Sequence, residues 1–157
     1  MDGTIAVKFD ELQAHIKRMI RYEADIRRAV KEQREERRKR RDDDVGRAPL
    51  HISKPTEMMA IENLTPLECV YVRCGAKKAR TRIENPEGWL QAISFVRGSL
   101  PSFEKKFMAV AFYQSDWIVC SDFHLSIQKF YALKKEIIMK VAIKAAADGL
   151  ISFLSED

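Results

Sequence analysis

The sequence predicts an all-α protein: a long N-terminal helix followed by a helical domain that ends in a helix-turn-helix. Three observations carry that prediction. Glycine and proline are absent from Thr4 to Asp44, so one helix can run through the stretch. Thr65-Pro66 and Asn85-Pro86 each set a capping residue before a proline at the first helical position. From Phe103 onward, apolar residues recur at helical spacing, interrupted only by short polar breaks.

In the first helix, Phe9, Leu12, Ile16, Met19, Ile26 and Val30 follow a heptad a/d pattern, with Glu23 at the one skipped position. Asp10 and Glu11 stand near its start, where the helix dipole favours acids. The apolar stripe has two readings. It dimerises the chain as a coiled coil, or it packs on the chain's own C-terminal domain. A homodimer through these six residues is the expectation carried forward.

The same helix then turns polar. Between Lys31 and Arg41, seven basic residues stand against three acidic ones. Glu35 pairs at i+4 with Lys39, and Glu36 with Arg40, which supports continued helix. Arg37, Arg38, Arg40 and Arg41 are candidates for phosphate contacts. The competing reading is a solvated helix extension, because Asp42, Asp43 and Asp44 follow at once.

Three segments result: an N-terminal amphipathic helix with a basic extension over 1–44, a linker over 45–63 and a helical domain over 64–157. The linker holds Gly46, Pro49 and Pro55, with room for one helical turn at Glu57 to Ile61. After it, Thr65-Pro66-Leu67-Glu68 reads as a capping box, opening a helix with Leu67, Val70, Tyr71 and Cys74 on one side. That segment trails into a second basic cluster, Lys77, Lys78, Arg80 and Arg82, which either meets phosphates or solubilises a helix end. Asn85-Pro86 then opens a helix whose Trp89, Ile93 and Val96 read as core.

The helix-turn-helix spans about 101–148. Phe103, Phe107, Val110 and Ala111 mark its first helix, and Trp117 to Cys120 form a short second one. A break at Asp122 to Leu125 precedes Ser126, which caps a long final helix ended by Gly149. A DNA-binding helix-turn-helix reads base edges with residues from the first turns of its second helix. Those are Ser126, Gln128, Lys129 and Ala132, with Lys134 and Lys135 nearer the backbone. Gln bridges adenine, Lys reaches guanine and Ser takes a phosphate or a base. The competing reading is an ordinary three-helix packing unit with solvated Gln and Lys, and the turn lacks the glycine often found there. From Pro101 to Asp157, seven basic residues balance seven acidic ones, so affinity must draw on other segments or a partner.

Composition sets outer bounds. The 157 residues fit one ordinary domain, or a small one with an appendage, and the net charge of +5 favours phosphate-bearing or acidic partners. Cys69, Cys74 and Cys120, an odd number without a signal peptide, read as reduced thiols in a cytoplasm, and as small buried or half-buried hydrophobes because none of the three histidines completes a metal-site spacing. The N-terminus lacks a signal-peptide layout, and no apolar run is long enough to span a membrane. No phosphate loop, HExxH or nucleophile elbow is present, so neither enzyme activity nor a cofactor is expected.

The stretch from Leu125 through Ser126, Phe130, Tyr131, Lys134 and Lys135 to Ile138, with Gly149-Leu150 beyond it, resembles the end of the RinA/ArpU group of phage late-gene transcriptional regulators. Phe9-Asp-Glu-Leu with Tyr22, Ser53-Lys-Pro-Thr, and the spacing of Trp89, Leu100 and Tyr113 resemble the rest of that pattern. The family usually carries threonine where Lys129 stands, and often arginines where Ile127 and Gln128 stand. The resemblance implies a sigma-region-4-like helix-turn-helix on double-stranded DNA. It also implies activation of late packaging or lysis genes beside host RNA polymerase, in a bacterial cytoplasm. Two alternatives remain: a sigma-like antiterminator or adaptor that binds polymerase, and a packaging accessory protein that binds DNA without sequence preference.

Overall fold

The computed structural model describes residues 5–7, 9–45, 65–74 and 79–153. Apart from Val45, the expected linker, with its helical turn at Glu57 to Ile61, lies outside the described residues, as do Lys77 and Lys78. In chain order the elements are β1 (Ile5–Val7), α1 (Phe9–Arg21), α2 (Glu23–Val45), β2 (Cys69–Cys74), β3 (Ala79–Glu84), α3 (Pro86–Ser99), α4 (Ser102–Ala111), α5 (Asp116–Asp122), α6 (Ile127–Ala147) and β4 (Ile151–Phe153). They fall into two units, one of Met1–Ala24 with Gly88–Asp157 and one of Asp25–Glu87.

The fold is mostly helical, but it is not all-α. β2 and β3 form an antiparallel hairpin, in register from Cys69 opposite Glu84 to Cys74 opposite Ala79. The helix expected after Thr65-Pro66 is therefore a strand. Its residues explain the change: Val70 and Val72 are buried while Tyr71 and Arg73 are exposed, the period-two alternation of a half-buried strand built from β-branched and aromatic residues. The proline does not start a helix here. The Leu67 N–H donates to Glu87 Oε2 at 3.1 Å, and the Asn85 N–H donates to the Glu68 carbonyl at 3.0 Å, closing the base of the hairpin. β1 and β4 add a short parallel pair, Ile5 beside Ile151 and Val7 beside Phe153.

The expected long first helix is two helices, broken at Tyr22. Glu23, the acid in the apolar seam, is buried. It accepts two hydrogen bonds from the Arg97 guanidinium of α3, one of them at 2.9 Å from Nη1. That pairing raises the Arg97 pKa, and it explains how a carboxylate occupies a core position.

In the first unit, α1 packs on α6 and buries Leu12, Ile16 and Met19 to 2% exposure or less. Ile26 and Val30 of α2 are buried as well. Five of the six stripe residues are thus covered within one chain, and the intramolecular alternative replaces the expected homodimer seam. The sixth, Phe9, has a side chain outside the described ones. Trp89, Ile93 and Val96 are core residues of α3, which begins at Pro86 as expected. Gly149, at φ 73°, ends α6: its N–H donates to the Ala146 carbonyl at 3.1 Å, and the Leu150 N–H donates to the Ala145 carbonyl at 2.9 Å. This cap turns the chain into β4.

The second unit joins α2 from Asp25 onward to the hairpin. Among the described residues outside the helix, Leu67, Val70, Val72 and Ile83 are buried apolar side chains of this unit. Arg34 donates through Nε to Glu87 Oε1 at 2.8 Å and through Nη2 to the Thr65 carbonyl at 3.2 Å. One arginine of the basic run is thus an internal tie.

Candidate nucleic-acid interface

Two surfaces carry the chemistry that the sequence singles out, one on each unit. The first is the pair α5–α6. α5 ends in a left-handed residue, His124 at φ 52°, where a glycine is commonly found. The Leu125 N–H donates to the Cys120 carbonyl at 2.9 Å and the His124 N–H to the Ser121 carbonyl at 3.3 Å, so the turn closes with its carbonyls satisfied. Phe123 fastens this turn to α4 through edge-to-face contacts with Phe103 and Phe107, at 5.6 and 5.9 Å between ring centroids. Phe107 in turn meets Phe130 of α6 at 5.6 Å. Four aromatic rings therefore fix where α6 begins.

Ser126 is extended and caps α6, its Oγ accepting from the Lys129 N–H at 3.3 Å. Beyond it, Gln128, Lys129, Ala132 and Lys135 are all exposed, and their spacing sets them on one helical stripe. Ser126 is exposed beside them. Five of the six residues expected to face DNA from this helix thus share an open surface. The sixth does not. Lys134 lies four residues after Phe130 on the inward stripe with Ile137 and Val141, and only 7% of it is exposed. Its ammonium stands over the Phe112 and Phe130 rings and 3.8 Å from Asp116 Oδ1. Burial pushes its pKa down. Lys134 is therefore turned inward, away from the exposed stripe. Sequence reasoning also missed an apolar fringe: Trp117, Ile127 and Tyr131 are each at least half exposed, and Tyr131 Oη donates to Asp116 Oδ2 at 2.8 Å.

The second surface belongs to the other unit. The outward hairpin face carries Tyr71 opposite Arg82 and Arg73 opposite Arg80. The Arg80 guanidinium covers the Tyr71 ring at 4.1 Å, and Arg82 Nε pairs with Glu84 Oε1 at 2.6 Å. An open groove runs between this face and α2, lined by Glu36, Arg37 and Arg40 on the helix and by Cys69, Tyr71 and Arg80 on the hairpin. Of the expected basic contacts, the fold brings together Arg37, Arg40 and Arg80. Arg38 and Arg41 lie on α2 but do not line the groove, and Arg82 stands on the hairpin beside Glu84. Arg73 and Tyr71 were not foreseen. Their signal was the alternation of Tyr and Arg with Val on β2, which only a strand reading reveals.

Cys69, Cys74 and Cys120 are half-buried, and no cluster of His, Cys, Asp or Glu fit to hold a metal occurs among the described residues. Among them, too, no helix is long and apolar enough to cross a membrane. The chain matches no family model, and no curated protein or solved structure proved similar to it.

Proposed function

We propose that the chain is a duplex-DNA-binding regulator of transcription. The observation that carries the reading is the exposed stripe of Gln128, Lys129, Ala132 and Lys135, directly after a capped turn that four aromatic rings hold in place. Amide and ammonium groups at the start of an unobstructed helix are the groups that recognise adenine and guanine edges in a major groove. Arg37, Arg40, Arg73 and Arg80 supply sequence-independent attraction to phosphates. Neither set includes Lys134, which lies off the exposed stripe, or Arg34, an internal tie.

The residue pattern resembling the RinA/ArpU regulators supports the finer reading of a phage or prophage activator of late genes, working with host RNA polymerase in a bacterial cytoplasm. It involves no catalysis and no cofactor. A second reading, an adaptor that docks on polymerase, draws on the exposed Trp117, Ile127 and Tyr131 beside the same helix.

Footprinting on DNA flanking the gene tests the proposal. The expected result is a protected site of defined sequence, lost or relaxed in Gln128→Ala and Lys129→Ala. Polymerase capture that survives nuclease treatment, with no protected site, favours the adaptor. Protection without sequence discrimination favours a packaging accessory. Absence of both DNA protection and polymerase capture refutes the proposal.

A further inference from the structure

Between α1 and α6, within one unit, lies a cleft of about 390 Å³. Gln13 and Lys17 line it from α1, and Tyr131, Lys134, Lys135 and Ile138 from α6. Three of these side chains end in ammonium groups, and none ends in a carboxylate. The volume lies in the range of small-molecule sites, and one wall is already apolar.

Lys134 is the telling member. Its side chain is only 9% exposed, and its ammonium finds Asp116 Oδ1 at 3.8 Å, beyond hydrogen-bonding reach. The other oxygen of Asp116 already accepts from Tyr131 Oη. An ammonium carries three N–H donors, and this one lines the cleft, where a bound anion can meet them. The aromatic faces of Phe112 and Phe130, at 5.2 and 5.3 Å, stabilise the charge but accept no strong hydrogen bond. Burial first, then Lys17, lowers the Lys134 pKa, with Arg21 adding to the effect and Asp116 opposing it. The local sum is an excess of positive charge around a space open to solvent.

We propose that this cleft is a binding site for a phosphoryl oxyanion, held by the ammonium groups of Lys17, Lys134 and Lys135, with the Gln13 amide as a further donor. A tetrahedral anion offers oxygens in several directions, matching cations that converge from two helices. It offers acceptors to the Lys134 ammonium, and it offsets the repulsion between Lys17 and Lys134. The phosphoryl group has two sources: a free phosphorylated small molecule, or a backbone phosphate of DNA gripped beside the α6 stripe, to which Lys135 also belongs.

The probes are inorganic phosphate and pyrophosphate, titrated into the full chain against chloride at equal ionic strength, with thermal unfolding and lysine-side-chain NMR as readouts. The comparison chains are Lys17→Gln and Lys135→Gln, whose altered side chains are exposed and leave the core intact. Expected are a saturable rise in Tm and a shifted Lys134 signal in the wild type, with most of both lost in either variant. A rise no larger than in chloride, or one equal in both variants and the wild type, overturns the site. A second arm repeats the titration with a short DNA duplex present. Loss of the phosphate response, with weaker duplex binding by Lys17→Gln, assigns the site to the DNA backbone. An unchanged response assigns it to a free phosphorylated ligand. The first arm needs no DNA, so failure of the transcription reading and failure of this site are separate results.

Discussion

The α6 stripe and the hairpin–α2 groove are built from different chemistry. The stripe presents an amide, a hydroxyl, a methyl and two ammonium groups on a segment with equal numbers of acids and bases. The groove presents Arg37, Arg40 and Arg80, with Tyr71 under the Arg80 guanidinium. Polar groups that reach base edges discriminate between sequences, whereas guanidiniums that meet the backbone hold phosphates regardless of sequence. The contrast suggests a division between reading and holding, each assigned to its own unit of the chain.

The strongest way to break the comparison is to remove the support of one surface at a time. Phe130→Ala empties a fully buried position beneath the stripe and is expected to cost about 3–5 kcal/mol. Ile83→Ala does the same under the hairpin, for about 2–5 kcal/mol. Urea unfolding checks both, and a loss below about 1 kcal/mol in either would contradict the packing described.

Next in size is Glu23→Ala, which strips Arg97 of its carboxylate. Breaking a fully buried pair costs about 3–5 kcal/mol. Because the Arg97 side chain remains 36% exposed, about 2 kcal/mol is expected here. The same denaturation series measures it.

Ser126→Ala removes the cap at the start of α6 and is expected to cost about 1 kcal/mol, read as earlier exchange of amides in the first turn of that helix. Equal protection in the variant would show that the serine does not hold the helix start.

The smallest effect is on pH dependence. His15 lies edge-on to Trp89 at 5.4 Å, and burial, then Arg18, holds its pKa below the ordinary value. The unfolded chain therefore takes up the proton more readily, starting near an ordinary pKa of about 6.5. Stability falls as the pH drops through that value and stops falling on this account below the folded pKa. His15→Gln flattens this part of the profile, and an unchanged profile contradicts the assignment.

Much of the helical layout was legible because its signals are local. Ser126, the break from Asp122 to Leu125, the α3 start at Pro86 and the stop at Gly149 each depend on neighbouring residues. The strands were not. Leu67, Val70, Tyr71 and Cys74 fit three- and four-residue steps, which hid the period-two alternation, and cross-strand pairing decided between them. The β1–β4 pairing joins three-residue segments far apart in sequence, and no local pattern announces it. Lys134 was misplaced because a lysine reads as solvent-facing, although its spacing from Phe130 put it on the buried stripe. The basic groove needed both the strand assignment and the proximity of Arg80 to α2.

The division between reading and holding is tested most directly by the salt dependence of duplex affinity in two variant pairs. Arg37→Ala and Arg40→Ala should weaken binding uniformly across sequences, each lowering the slope of log K against log salt by about one. Gln128→Ala and Lys129→Ala should cost about 1–3 kcal/mol on the preferred sequence and far less on a scrambled one. Equal losses on preferred and scrambled duplexes from Gln128→Ala and Lys129→Ala would contradict the account.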